Sequence, residues 1–195
     1  KGIELALGFK QNIGPVDWKT TLLWSLNRNR IDQLLPEYTN EELGVTVHLD
    51  EMDVYSLGGA KQRLTVGGSM GDVYVNTMRT DEHGHIWMNS MTGTLETDKN
   101  NYVYAGNTNP KYTLSWRNEF NWKGISLGFM LNARVGGIGV SATQAVMDYY
   151  GVSKTSAEAR DNGGVKVNGQ MIDAQTWYQT IGANGTGYVG SMYVY

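Results

Sequence analysis

Between Tyr112 and Gly136, hydrophobic and polar residues alternate on both sides of Lys123-Gly124. Before the break Leu114, Trp116, Phe120 and Trp122 share one parity, interrupted by Asn118, and Thr113, Ser115, Arg117, Glu119 and Asn121 share the other. After it Ile125, Leu127, Phe129, Leu131, Ala133 and Val135 alternate with Ser126, Gly128, Met130, Asn132 and Arg134. A period of two over roughly ten residues on each side of a tight turn predicts a long antiparallel hairpin. A second hairpin of the same design opens the chain. Ile3, Leu5, Leu7 and Phe9 lead to a turn at Asn12-Ile13-Gly14-Pro15, and Trp18, Thr20, Leu22, Trp24 and Leu26 return from it. The predicted strands cover about 1–11, 18–27, 112–122 and 125–135.

Two environments suit the apolar parity. A second sheet would cover it in a soluble β-sandwich, and lipid would cover it in an outer-membrane barrel whose other face lines a wet lumen. Glu4, Lys10, Lys19, Arg117, Glu119 and Arg134 all avoid the apolar parity, as both environments require; Lys1, at the extreme end, is the exception. Strands of about ten residues exceed the usual five or six and match a tilted membrane strand. Phe9, Trp18 and Trp122 flank the turns, where a membrane–water interface would favour aromatic rings.

The rest of the chain reads as connection. Residues 28–111 are polar, with acidic clusters at Glu41-Glu42 and Asp50-Glu51-Met52-Asp53 that lack EF-hand spacing and read as solvated. Val73 to Asn89 suggests a small hairpin turning at Asp81-Glu82-His83-Gly84. His83 and His85 have no evident third ligand, so no metal is expected. Within 137–195, short helices are predicted from Ser141 to Tyr150, from a Thr155 cap to Arg160, and over Asp173–Ile181 with Asp173 as N-cap. Trp87, Tyr149, Tyr150, Trp177 and Tyr178 are the candidate ligand-binding residues, as rings able to stack on sugars or peptide side chains; the same rings could equally hold the loops together.

Composition narrows the class. A net charge of -3 and no basic patch set nucleic acid aside as a partner. The absence of cysteine excludes disulfides and thiolate metal sites. Gly 25 and Tyr 12 against Phe 3 suit a turn-rich β protein with exposed interfaces. A mean hydropathy of -0.39 does not exclude a barrel, because barrel strands alternate and carry polar loops. No Ser/His/Asp order, zincin motif or phosphate loop is recognisable, so no catalytic residue and no cofactor are expected. The chain opens and closes in strand-like sequence, at Lys1-Gly2-Ile3 and Met192-Tyr193-Val194-Tyr195, which suggests a segment of a longer protein.

The run from Gly106-Asn107-Thr108-Asn109-Pro110 to Tyr112-Thr113, then Asn121-Trp122-Lys123-Gly124-Ile125-Ser126-Leu127, resembles the late-barrel signature of SusC/RagA-type TonB-linked transporters. Lys1-Gly2-Ile3-Glu4-Leu5 is similar to a common strand opening there, and Tyr149-Tyr150-Gly151-Val152 through Asp173-Ala174-Gln175 to loops of that family. The likeness covers most of the chain, loosely over 27–105. It implies an all-β fold: part of a large antiparallel transmembrane β-barrel with long extracellular loops carrying short helices, in the cell outer membrane. It implies a SusD-like surface lipoprotein and TonB as partners, and uptake of an oligosaccharide or peptide. Trp18, Leu22, Trp24, Leu114, Trp116, Phe120, Trp122, Ile125, Leu127 and Phe129 would face outer-membrane lipid, and Arg117, Glu119 and Arg134 the lumen. The turns at Asn12–Asp17 and Lys123-Gly124 would be periplasmic, and 28–111 and 137–195 extracellular. The alternative is a soluble all-β carbohydrate-binding module.

Overall fold

A computed structural model describes residues 1–89, 91–183 and 187–195; residue 90 and residues 184–186, within the two expected outer loops, lie outside the described residues. The fold is mostly β, with antiparallel sheets and three short helices. In chain order the strands are β1 (Gly2–Ile13), β2 (Val16–Asn27), β3 (Leu35–Asn40), β4 (Val45–Leu49), β5 (Glu51–Leu57), β6 (Ala60–Thr65), β7 (Asp72–Met78), β8 (Thr97–Asn107), β9 (Tyr112–Trp122), β10 (Ile125–Val135), β11 (Val165–Val167) and β12 (Gln170–Ile172). The helices are α1 (Ala142–Tyr149), α2 (Lys154–Asp161) and α3 (Ala174–Ile181). The chain divides into two compact units, Lys1–Arg30 with Asn107–Gly137, and Ile31–Gly106 with Ile138–Tyr195.

The first unit is one four-stranded sheet in the order β1-β2-β9-β10. Both hairpins form, and β2 pairs with β9 to join them. Two-residue turns set their registers. Lys123 and Gly124 both have positive φ, 45° and 88°, the type I′ geometry that matches strand twist. Gly14 has φ 59° and precedes Pro15, whose φ is fixed negative, a type II′ arrangement. Because these turns use two residues each, β1 runs to Ile13 and β2 starts at Val16, longer than the alternation predicts. Among the described residues, every buried hydrophobic side chain belongs to the second unit. The sheet of the first unit therefore has no hydrophobic core of its own.

The second unit corrects the picture of 28–111 as a connection. It contains β3 through β8, with β3 and β4 paired and β5-β6-β7-β8 forming a sheet. Charge concealed these strands. Asp53 on β5 accepts from Arg63 Nε at 2.7 Å and Lys61 Nζ at 2.8 Å on β6, so acidic and basic residues pair across the ladder. Arg63, and after it Lys61, hold the Asp53 carboxyl below its ordinary range. The small hairpin after β7 turns at Gly84, φ 81°, but its return arm is held by single bridges, Thr80 to Ile86 and Met88 to Leu95. The C-terminal residues also depart from expectation: Gly190–Tyr193 form a 3-10 turn, and only Val194 bridges, to Val140.

Three caps start the helices. Ser141 accepts from Gln144 N at 3.2 Å, Ser153 from Ser156 N at 3.0 Å, and Asp173 from Thr176 N at 3.0 Å. The cap of α2 is Ser153, not Thr155, whose hydroxyl donates to Asp148 Oδ1 at 3.2 Å. Ala145, Trp177, Ile181, Tyr188, Val189 and Tyr193 make the core beneath the helices. A clasp anchors the C-terminal segment: Tyr188 Oη donates to Leu57 O at 2.8 Å, and Gly190 N to Asn76 Oδ1 at 2.7 Å.

Candidate functional site

The strand registers place one parity of each strand on a common face of the first unit. Across it, Leu7 lies opposite Leu22, Leu22 opposite Trp116, and Trp116 opposite Leu131. The ten residues named above as lipid-facing all occupy this face. All seven charged residues of the four strands, Glu4, Lys10, Asp17, Lys19, Arg117, Glu119 and Arg134, occupy the other. Apolar exposure is high: Ile125 64%, Leu127 62%, Leu131 58% and Leu7 55%. Nothing within the first unit covers the face.

Aromatic rings cross this face in a line. Phe9 meets Trp18 edge-on at 5.8 Å, Trp18 stacks on Phe120 at 6.1 Å, Phe120 on Phe129 at 6.3 Å, and Phe129 meets Trp116 edge-on at 6.2 Å. Besides Gln11 beside the first turn, two polar side chains interrupt the apolar surface at opposed positions, Thr20 and Asn118. Trp116 Nε1 donates to Thr20 Oγ1 at 2.9 Å, and Trp18 Nε1 to Asn118 Oδ1 at 3.1 Å. Asn118, which breaks the sequence pattern, is thus an acceptor for the aromatic line, only 1% exposed. On the opposite face Arg117 pairs with Glu119, and Lys19 lies in register with Glu119.

A second candidate site lies within the other unit, between α1, α2 and α3. It is a cavity of about 230 Å³. Tyr149, Tyr150 and Tyr178, three of the five candidate rings, line it, along with residues the sequence reading missed: Asp148, Arg160, Gln175 and Gln179. The Tyr149 and Tyr150 rings meet at 5.2 Å and 87°. Asp148 is 4% exposed and accepts from Gln144 Nε2 at 2.8 Å as well as from Thr155. The Tyr193 hydroxyl is buried beside this carboxylate without a hydrogen bond of good geometry; burial first, then the Asp148 charge, pushes its pKa up. Burial likewise raises that of Tyr178. Gly151, φ 68°, turns the chain after α1 and accepts Arg160 Nη1 at 2.6 Å. The i, i+4 spacings Gln144–Asp148 and Gln175–Gln179 were the available signals, since they place each pair on one helix face.

The remaining candidate rings are elsewhere. Trp177 packs in the core at 9% exposure, so its ring is no platform for a ligand. Trp87 lies in a separate open groove with Asp81, His85 and Asn168, and the Arg79 guanidinium sits 4.5 Å from its ring centre. Asn168 fixes this groove by bonding both backbone groups of Ile86. His85 contacts Asp81 at 3.4 Å, and no His/Asp/Glu group able to hold a metal occurs among the described residues.

Comparison with known proteins finds no matching family model and no matching curated protein.

Proposed function

We propose that the chain supplies wall and outer loops to an outer-membrane β-barrel that imports a nutrient by TonB-dependent transport. The observation that carries this reading is the charge-free, aromatic-crossed sheet face, which nothing in its own unit covers. Strands of 11 and 12 residues fit the dimension. At about 3.3 Å per residue and a tilt of about 40° they cross roughly 28–30 Å, the thickness of a bilayer's hydrocarbon core. The unpaired edges of β1 and β10 require further strands, which closure of a barrel provides.

In this arrangement the apolar face meets lipid, and Arg117, Glu119 and Arg134 face the lumen. The second unit lies outside the cell, near a SusD-like lipoprotein, and the cargo is an oligosaccharide or peptide. The resemblance described above supports this assignment, and TonB would act through parts of such a transporter outside this chain. The segment has a transport role, not a catalytic one.

Spin labels test the reading directly, because the sequence contains no cysteine to compete with an introduced one. In membranes, labels at Leu22→Cys and Leu127→Cys should collide with oxygen and be shielded from an aqueous nickel complex, with the reverse at Arg117→Cys. Aqueous access at Leu22 and Leu127 would exclude a membrane wall. Shielding from both probes would point to a second covering sheet, as in a soluble carbohydrate-binding module.

A further inference from the structure

We propose that the cavity between α1, α2 and α3 binds one neutral pyranose ring, the end of an oligosaccharide. At about 230 Å³ it falls below the roughly 300–1,000 Å³ of sites that enclose drug-sized ligands, so it suits one ring and not a chain. Tyr150 lines it, 62% exposed and with its ring at right angles to that of Tyr149, and an exposed aromatic ring is a surface against which the C–H side of a sugar can lie. Gln175 and Gln179, one turn apart on α3, each present an amide that both donates and accepts, as vicinal hydroxyls require.

Charge decides between ligand classes. Asp148 at the floor carries one carboxylate, already supplied with donors by Gln144 and Thr155. Arg160 carries one guanidinium, anchored to the Gly151 carbonyl through Nη1, with no carboxylate within ion-pair distance among the described residues. An acidic sugar would be drawn to Arg160 but repelled by the buried Asp148 carboxylate; a cation would meet the converse. An apolar peptide side chain would strip water from Asp148, Arg160 and both amides without replacing their hydrogen bonds. A neutral polyhydroxylated ring offers partners to all four.

As transport cargo this ligand rests on the membrane reading above; as a binding site the cavity stands without it. The test is saturation-transfer NMR on the full protein, with the methyl glycosides of glucose, galactose and mannose as probes. Methyl glucuronide and an N-acetylated tri-alanine amide serve as the acidic and peptide controls. At least one neutral glycoside should give a signal stronger than both controls. Tyr150→Ala and Gln179→Ala, exposed positions whose loss spares the core, should each weaken its binding about fivefold, the effect of one contact or hydrogen bond. Absence of any neutral-glycoside signal, equal binding by both variants, or preference for the glucuronide or the peptide would overturn the assignment. Each result is independent of where the spin labels place the sheet.

Discussion

Trp18 and Asn118 are one hundred residues apart in sequence, yet the indole N–H of one donates to the side-chain oxygen of the other at 3.1 Å. The bond joins the two hairpins on a face that is mostly apolar and carries no charge. The Asn118 amide nitrogen has no partner, so the residue is retained at some cost and the bond to Trp18 is its compensation. In a double-mutant cycle, Trp18→Phe and Asn118→Leu together should destabilise by about 1 kcal/mol less than the sum of the single changes. Denaturant titration of the four species measures this, and a coupling of zero would mean the bond contributes nothing.

Neighbouring residues on β10 offer a matched test of the two faces. Leu131 and Met130 are similarly exposed, 58% and 54%, and point to opposite sides of the sheet. If lipid covers the apolar face, Leu131→Arg should cost about 2–4 kcal/mol and Met130→Arg far less. Unfolding from detergent or bilayer compares them. Equal costs would argue against a lipid-facing side.

Close backbone approach makes Gly59 intolerant of a side chain. A Cβ there would overlap the Tyr188 carbonyl and the Asn76 side chain, the two elements of the C-terminal clasp. Gly59→Ala should therefore destabilise the second unit by about 1–3 kcal/mol. Thermal unfolding reads the loss, and Gly139→Ala, which meets nothing within 4 Å, is the control.

Acid should weaken the β5–β6 pairing through Asp53. Its folded pKa lies below the unfolded value, chiefly because of the Arg63 hydrogen bond. The contribution is complete above the ordinary carboxylate value of about 3.9 and disappears as pH falls through the lower folded value. The Asp53 side chain is 42% exposed, so solvent screens the pair and the effect is small. Below about pH 4 the parent protein should lose stability more steeply than Asp53→Asn. Parallel acid titrations of the two would contradict the assignment.

The two long hairpins were legible because a face must be consistent along eleven residues, and alternation records that directly. Asn118 looked like a fault for the same reason: residue type scores it as polar, while its acceptor role depends on Trp18 far away. The strands from β3 to β8 were hidden because Asp53, Lys61 and Arg63 resemble solvent-exposed loop residues until their cross-strand pairing is seen. Thr155 and Glu158 have capping spacing, but Ser153 offers the same chemistry two residues earlier and wins because the Thr155 hydroxyl serves Asp148. Trp177 could have been placed in the core from its spacing with Ala174 and Ile181, which puts all three on one helical stripe. The cavity was partly visible as tyrosines; its polar lining comes from three helices brought together only in the fold.

The pairing of β2 with β9 has a consequence for how the chain folds. Each hairpin closes through a two-residue turn and can form within microseconds. Their union instead requires Leu22 to find Trp116 across the intervening segment Ile31–Gly106. Loop-closure entropy rises only slowly with length, about 0.6 kcal/mol per doubling, so the insertion is thermodynamically tolerable. Its burden is kinetic, because non-local pairing is the slow event in β proteins. Until that search ends, two aromatic-edged ribbons remain open to pairing with other chains, and aggregation should compete with folding most strongly at this step.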